Sequence, residues 1–263
     1  MAELTWKLAA VTDRGLHRVE NQDSFYISPD GRVLVVADGM GGARGGGIAS
    51  KLAVEAVAAL YEKSPPDETD RALIQQWLVD AISDANRTVF SVACDVPPEC
   101  RMGTTLLVSV QSKDGMIHIA HVGDSRAYLI RGGKTVVLTQ DHSVVMEMLL
   151  NGHLTPDQFR TSPFRHYLTR CVGHHSKVEI DRTPFELAEG DWIVLATDGL
   201  SAVLHDEEIG EVVCRCEDAE AACKELLEKT LDGGAPDNVT IVAVQYAPAL
   251  NKAGTQSCSG TTR

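Results

Sequence analysis

The fold is decided by the stretch Val33-Leu34-Val35-Val36-Ala37-Asp38-Gly39-Met40-Gly41-Gly42, in which five apolar residues run directly into an aspartate and a glycine-rich segment. Three more aspartates stand next to strand-like runs: Asp198 follows residues 193–197, Asp124 follows residues 119–123, and Asp237 precedes residues 239–242. A carboxylate at the tip of a buried strand is held rigidly, and a glycine after it lets backbone and ligand approach closely.

Several such tips would bring like charges together if they converged, which is costly unless a cation compensates them. Ligation by oxygen alone favours Mg²⁺, Mn²⁺ or Ca²⁺ over Zn²⁺, which prefers His and Cys. The alternative is that each aspartate caps a turn, because Asp-Gly is a common turn dipeptide. Periodicity does not show convergence, so both interpretations stay open at this point.

The glycine-rich stretch Gly39–Gly47 is predicted to be a loop that precedes a helix. It lacks the G-K-[ST] ending of a nucleotide-binding P-loop, and its spacing does not match the dinucleotide fingerprint. A nucleotide site is therefore disfavoured.

The pattern along the chain predicts one α+β domain over residues 1–246. Glycines at 132–133 indicate a hairpin between two strands. Residues 143–175 are broken by turn signals and are predicted to form a short helix and a mobile flap over a site, and residues 247–263 a disordered tail. Strands are expected at 8–11, 25–27, 33–37, 105–110, 117–122, 126–130, 136–138, 192–196 and 239–246, with helical stripes at 48–60, 74–89 and 219–227.

The composition is that of a globular protein with an acidic surface. Of 263 residues, 44% are hydrophobic and 23% charged, and the formal net charge is −13. Such a surface repels phosphate backbones and anionic lipid, so we expect neither nucleic acid nor membrane as a partner. The seven cysteines have no C-x-x-C spacing, and no signal peptide or membrane span is visible, which predicts a cytoplasmic protein with free thiols. Nothing calls for more than a monomer.

Seven ordered segments resemble the signature blocks of the metal-dependent PPM (protein phosphatase 2C) family in its bacterial form. The resemblance covers roughly residues 8–246 and implies an αββα sandwich of two stacked antiparallel sheets flanked by helix pairs. It is carried by Arg18–Phe25, Val36–Gly42, Gly103–Thr105, His121–Arg126, Leu138–Ser143, Thr197–Leu200 and Asp237–Thr240.

The resemblance also implies a role for each matching residue. Asp38 corresponds to the carboxylate that bridges two Mg²⁺ or Mn²⁺ ions, and the Gly39 carbonyl joins the first ion. Asp198 and Asp237 correspond to ligands of the second ion. Asp23 matches an acid that binds the first ion mostly through water. The remaining two positions are Asp124, which with Asp198 would hold a third, weaker ion, and Arg18, which would grip the substrate phosphate.

The activity so implied is hydrolysis of phosphoserine and phosphothreonine in proteins, with phosphotyrosine as a further substrate to consider, by a metal-activated water without a phosphoenzyme. Two cations can lower the pKa of a bridging water and steady the charge of an in-line displacement. The partner would be a phosphorylated protein, opposing a serine/threonine kinase. We expect Arg165 and His166 of the flap to influence which phosphoprotein docks.

Met40 is a departure from the animal-type members of this family, which carry a histidine directly after the Asp-Gly. A thioether has no acidic proton, so the acid that protonates the leaving group is left open. A metal-bound water is the first candidate, and His142 and His121 are alternatives.

Other functions are less well supported by the sequence. Cysteine-dependent phosphatases need an Arg six positions after the Cys, but Cys94 meets Cys100 and Cys171 meets Lys177. No D-x-D motif of the aspartyl phosphatases occurs. Two alternatives remain: a pseudophosphatase that binds phosphoproteins without turnover, and a regulator dedicated to one signalling partner.

Overall fold

The computed structural model describes residues 4–94 and 102–248, and it confirms the predicted αββα sandwich. Two antiparallel sheets stack face to face between helices. The strands are β1 (Leu4–Asp13), β2 (Asp23–Ile27), β3 (Val33–Met40), β4 (Gly103–Thr104), β5 (Leu106–Gln111), β6 (Met116–Val122), β7 (Arg126–Arg131), β8 (Lys134–Val137), β9 (Asp181–Glu186), β10 (Trp192–Ala196) and β11 (Val239–Pro248). The helices are α1 (Gly42–Lys63), α2 (Arg71–Ala93), α3 (Val144–Leu150), α4 (Pro156–Thr161), α5 (Asp198–Ser201), α6 (Asp206–Arg215) and α7 (Ala219–Asp232).

The first sheet has the strand order β1-β11-β10-β7-β8, and the second has the order β2-β3-β5-β6-β9 with β4 paired to β3. Neighbouring strands pair antiparallel throughout. The predicted hairpin joins β7 to β8, where Arg131 pairs with Lys134. Gly132 and Gly133 between them have φ values of 56° and 76°. This is the left-handed conformation that a tight hairpin turn requires.

Three apolar layers hold the sandwich together, and β3 contributes to two of them. Val33 and Val35 face helices α1 and α2, whereas Leu34 and Val36 face the other sheet, where they join Ile193 among others. The other helix pair, α6 and α7, packs on the outer face of the first sheet. Because β3 is covered on both faces, its sequence is a continuous apolar run rather than an alternating one.

The local structure differs from the sequence prediction at several elements. Helix α1 begins at Gly42, so most of the glycine-rich stretch predicted as a loop is helical. Strand β9 and helix α6 were not predicted, and the flap contains two short helices, α3 and α4, instead of one. Strand β11 extends to Pro248, two residues into the segment predicted as a tail, and residues 249–263 lie outside the described residues. Within the described ranges, no helix has the length and apolar character to cross a membrane.

Candidate active site

The four strand-end aspartates come together at one edge of the sandwich. Asp38 lies near the end of β3 and Asp124 in the turn after β6, both in the second sheet. Asp198 begins α5 directly after β10, and Asp237 precedes β11, both at the first sheet. All four line one cavity of about 800 Å³, together with Arg18. The convergence that the sequence left open is therefore present in the fold.

Asp23 lies behind this cavity and not in its wall. It pairs with Asp38 in the β2–β3 register, and its Oδ2 accepts hydrogen bonds of 2.8 Å from the hydroxyls of Thr197 and Thr240. Desolvation raises the pKa of Asp23 to about 7, although the two hydroxyls oppose that shift. Its location behind Asp38 suits a residue that reaches a cation through a water.

The carboxylates disfavour one another's ionisation. Desolvation raises the pKa of Asp38 well above its usual range, and the negative charges of Asp23, Asp198, Asp124 and Asp237 raise it further. Burial likewise raises the pKa values of Asp124 and Asp198, with neighbouring aspartates as the second cause. A cluster of this kind is unfavourable unless positive charge is supplied to it.

The donor set fits a hard, oxygen-preferring cation. Asp198 Oδ1 and Asp23 Oδ1 are buried and have no hydrogen-bond partner, so each has an oxygen to offer. Among residues 4–94 and 102–248, however, no three His, Cys, Asp or Glu side chains are close enough together to form a finished metal site. The carboxylate oxygens thus line one cavity without converging on a single point within it.

Arg18 is the cation that the chain itself places among these carboxylates. Its Nη2 donates to Asp237 Oδ2 at 2.5 Å, and the charges of Asp237, Asp198 and Asp38 all favour its protonated form. The Arg18 side chain is 54% exposed. Water therefore screens this pair, which is easily exchanged for another partner. A guanidinium in that place can form bidentate hydrogen bonds with two phosphate oxygens.

The loop that carries Arg18 is fixed by Asn238. The Asn238 side-chain oxygen accepts from the Gln22 backbone N–H at 2.8 Å, and its amide nitrogen donates to the carbonyls of Arg14 and Glu20. Arg14 precedes Arg18 in the chain, and Glu20 and Gln22 follow it, so the three bonds fix the loop on both sides of Arg18. The sequence showed Asn238 only as part of a family motif, because its partners lie more than 200 positions away along the chain.

Two threonines hold the backbone of Asp38. Thr105 Oγ1 accepts from the Asp38 N–H at 2.8 Å, and Thr104 Oγ1 donates to the Asp38 carbonyl at 2.8 Å. Thr105 Oγ1 also bonds Ser125 Oγ at 2.7 Å, next to Asp124. The Gly103–Thr105 segment therefore couples the Asp38 strand end to the Asp124 turn, a role that the sequence did not reveal.

Gly39 is required by the close approach of helix α1. A Cβ at this position would lie 2.1 Å from the carbonyl oxygen of Gly46, so only glycine fits between the strand end and the helix. The same crowding explains why the glycine-rich stretch is helical. Its small residues let the first turns of α1 pack against the strand end, and that packing outweighs their low helix propensity.

His142 and His121 do not face the cavity, which excludes both as direct proton donors. His142 Nδ1 accepts from the Gly123 N–H at 3.1 Å, and the His142 backbone N–H donates to the Gly123 carbonyl at 3.0 Å. The ring of His121 stacks on that of His142 with centroids 4.7 Å apart. Burial lowers the pKa of both imidazoles. His142 instead holds the turn that presents Asp124.

The flap residues predicted from the sequence lie beside the carboxylates. His166 lines the main cavity. His166 and Arg165 also line a second, smaller cavity of about 150 Å³, which shares Asp124 and Asp198 with the first. The flap thus forms one wall of the site at the end where Asp124 and Asp198 lie.

Comparison with known proteins agrees with this arrangement. The family described as Protein phosphatase 2C matches residues 17–232. The chain belongs to the protein phosphatase 2C family. Serine/threonine protein phosphatase PstP of Mycobacterium tuberculosis is 36% identical over 240 residues, which is 91% of this chain and 45% of PstP. Protein phosphatase PhpP of Streptococcus pneumoniae is 32% identical over 241 residues, or 90% of this chain and 96% of PhpP.

Solved structures of protein phosphatase 2C relatives share the fold. The catalytic domain of PstP, in complex with two manganese ions, superposes with a TM-score of 0.80 at 33% identity over 93% of this chain and 99% of that one. Serine/threonine phosphatase Stp1 from Staphylococcus aureus gives a TM-score of 0.82 at 30% identity over 93% and 95% of the two chains. The present chain spans about half the length of PstP, the full-length relative at 36% identity.

Proposed function

We propose that this protein is a metal-dependent serine/threonine protein phosphatase. The observation that carries the proposal is the convergence of Asp38, Asp124, Asp198 and Asp237 with Arg18 on one cavity. Its carboxylates suit divalent cations, and its arginine suits a phosphate dianion. Membership of the protein phosphatase 2C family and the two manganese ions bound by the PstP catalytic domain support the same activity.

The match to the family motifs supports an assignment of the residues that would hold the cations. Asp38, in the centre of the cluster, would bridge two ions, with the Gly39 carbonyl on the first and Asp198 and Asp237 on the second. Asp23 would act from behind Asp38 through water. Bound Mg²⁺ or Mn²⁺ would supply Lewis-acid activation of a water and neutralise the charge of the phosphoryl group.

The protein's own residues would then orient the substrate. Arg18, on a loop held by Asn238, would exchange Asp237 for the phosphate oxygens as the substrate enters. Attack of water on phosphorus in line with the ester oxygen would release inorganic phosphate and a free hydroxyl, without a phosphoenzyme. Bidentate binding by Arg18 would hold the phosphate in one orientation, which lowers the entropic part of the barrier.

A pseudophosphatase that binds phosphoproteins without turnover is the second candidate. It would be expected to have lost one or more metal carboxylates, whereas all those discussed are present and aimed at one cavity or directly behind it. A regulator dedicated to one partner would use the same site, so it differs in substrate range and not in chemistry. The presence of all these carboxylates favours the active enzyme.

Turnover assays test the proposal directly. Purified protein would be assayed on p-nitrophenyl phosphate and on a phosphothreonine peptide, in EDTA and across a Mn²⁺ titration, beside Asp198→Ala. Asp80→Ala, which replaces an exposed aspartate of helix α2, is the matched control. Hydrolysis that requires Mn²⁺ and is lost only in Asp198→Ala supports the enzyme. Activity that survives both EDTA and Asp198→Ala contradicts the metal mechanism, and Mn²⁺ binding without turnover favours the pseudophosphatase.

A third, weaker cation site would involve Asp124 together with Asp198. Asp124→Ala should reduce kcat on the peptide by on the order of 10-fold or more, because one stabilising charge is removed while two ions stay bound. Mn²⁺ stoichiometry by isothermal titration calorimetry checks this: two tight ions should remain. Loss of all Mn²⁺ from the variant would show instead that Asp124 is needed to form the main site.

The flap over residues 143–175 would select the phosphoprotein. Arg165 and His166 stand beside the site, and Phe164 and Tyr167 are exposed next to them, at 49% and 61%. Replacing residues 143–175 by the corresponding segment of PhpP should change the relative kcat/KM for two phosphoproteins by several-fold, with p-nitrophenyl phosphate as the control substrate. Unchanged preference would contradict the assignment.

The cellular setting is proposed on similar grounds. The substrate would be a phosphorylated protein made by a serine/threonine kinase in the cytoplasm, and the enzyme would act as a monomer. Five cysteines lie among the described residues, and of these Cys171, Cys214, Cys216 and Cys223 are free thiols, which suits a reducing compartment. The other two cysteines, Cys100 and Cys258, lie outside the described residues.

A further inference from the structure

The group that protonates the leaving oxygen can be sought among the side chains that line the cavity. A serine or threonine alkoxide is a poor leaving group, and a positioned acid accelerates such a step by about 10²–10⁴-fold. Met40 lines the cavity directly after Asp38 and Gly39 but has no acidic proton. Because His121 and His142 are turned away from the cavity, the acid is either a metal-bound water or another side chain of the cavity wall.

Few described residues of the cavity wall can serve as that acid. The aspartates would hold the cations. A guanidinium holds its protons too tightly to donate them. Two histidines of the wall, His17 and His166, carry the side chain best suited to donating a proton near neutral pH.

The positions of the two histidines distinguish them. His17 adjoins Arg18 on the loop that would grip the phosphate. His166 lies on the flap, in the wall shared by the two cavities, where Asp124 and Asp198 also lie. A phosphopeptide selected by the flap would place its ester oxygen on the flap side of the cavity, and His166, but not His17, also lines the smaller cavity on that side.

His166 is also held in place by the backbone around it. The Val144 N–H donates to the Tyr167 carbonyl at 2.8 Å, and the Thr169 N–H donates to the His142 carbonyl at 2.9 Å. An antiparallel bridge between Ser143 and Leu168 lies between these two bonds. The segment immediately after His166 is thereby fastened to the residues that support the Asp124 turn.

We propose that His166 is the general acid that protonates the leaving serine or threonine oxygen, an inference that rests on the proposed phosphatase function. As water attacks phosphorus, the bond between phosphorus and the ester oxygen breaks, and its electron pair goes to that oxygen. The His166 imidazolium gives its proton to the same oxygen, which leaves as a neutral hydroxyl. The attacking water becomes part of the phosphate, and the proton it loses restores the exposed imidazole by way of solvent.

Dependence on the leaving group gives the test. A p-nitrophenolate leaves without needing a proton, whereas a threonine alkoxide does not. We would measure kcat for p-nitrophenyl phosphate and for a phosphothreonine peptide with the Mn²⁺-loaded wild type, His166→Gln and His17→Gln. We expect His166→Gln to lower the ratio of the peptide rate to the phenyl-ester rate by about 10²-fold, within the range of general acid catalysis. His17→Gln should keep the wild-type ratio.

Mn²⁺ titration calorimetry separates this role from an effect on the metal site, because His166→Gln should bind Mn²⁺ as the wild type does. Equal losses on both substrates, or an unchanged ratio, would overturn the assignment, and a fall in the ratio for His17→Gln would transfer it to His17. A wild type that hydrolyses neither substrate would refute the proposed function itself, which is a different outcome from failure of the His166 assignment.

Discussion

Asp38→Asn should abolish turnover and yet make the cation-free protein more stable. Asp38 is the carboxylate on which the charges of four other aspartates act, and the substitution keeps its shape while removing its charge. Removal of one stabilising group from other active sites costs on the order of 10²–10³ in kcat. Since Asp38 would bridge two ions, we expect a loss of at least about 10³-fold on the phosphothreonine peptide.

The gain in stability follows from the direction of the pKa shift. The folded state raises the pKa of Asp38 well above the unfolded value, so folding takes up a proton at this group. Its contribution to the free energy of unfolding is therefore largest below the unfolded pKa and is lost as pH rises through the folded pKa. Asparagine carries no charge at any pH, so it escapes the repulsion by the neighbouring aspartates while keeping the shape of the side chain.

Thermal unfolding in EDTA at several pH values measures this effect. The variant should melt above the wild type at pH 8, and the difference should shrink toward pH 4, with about 2–4 °C for each kcal/mol in a chain of this size. Added Mn²⁺ should raise the melting temperature of the wild type much more than that of the variant. Asp80→Asn is the control: its melting temperature in EDTA and the rise caused by Mn²⁺ should both equal those of the wild type. A lower melting temperature for Asp38→Asn in EDTA would show that Asp38 is a structural partner and not a strained ligand.

The aspartates of the site could be predicted from the sequence, whereas the residues that hold their segments in place could not. Asp38 and Asp198 follow apolar runs that end at Asp-Gly, and that local pattern is visible without a structure. Asn238 bonds to Glu20, 218 positions away, and His142 bonds to Gly123, 19 positions away, and no local pattern encodes either bond. The chemistry of a residue type is local, whereas its orientation depends on tertiary contacts.

The errors in the predicted elements have similar causes. Glycines at the start of α1 indicate a loop by propensity, but the contact between Gly39 and Gly46 makes small residues the ones that fit there. Strand β9, with the sequence DRTPFE, is polar and contains Pro184, which is typical of an edge strand. Its residues alternate between half-buried and exposed, but this polar composition gives no matching alternation of apolar and polar residue types in the sequence. Helix α6 begins with three acidic residues, which suit a helix N-terminus but weaken the periodic apolar pattern by which a helix is recognised in a sequence.

The largest loss of stability is expected from breaking the ion pair between Arg126 and Asp141. Arg126 Nε and Nη2 donate to the two oxygens of Asp141 at 2.9 and 2.6 Å, and the two side chains are only 12% and 7% exposed. Arg126 also lies over the ring of Phe159 of the flap, with 6.0 Å to the centroid, and 3.5 Å from Asp206. It thereby connects β7, the flap and helix α6.

Removing one member of such a pair leaves the other charge buried without its partner, which costs about 3–5 kcal/mol in other proteins. We expect Asp141→Asn to lower the free energy of unfolding in urea by about that amount, moderated by Asp206. The exposed pair Lys224–Glu228, with 3.8 Å between its charged atoms, is the matched control. Glu228→Gln should cost less than about 1 kcal/mol.

The double variant Arg126→Met with Asp141→Leu separates the value of the pair from the cost of an orphaned charge. Replacing both charges removes the unpaired group, so the double variant should be more stable than either Asp141→Asn or Arg126→Met alone. A double variant as unstable as the sum of the two single changes would mean that the pair itself contributes little coupling. Arg126 would then act mainly through its contact with Phe159, and Phe159→Ala should reproduce most of the loss.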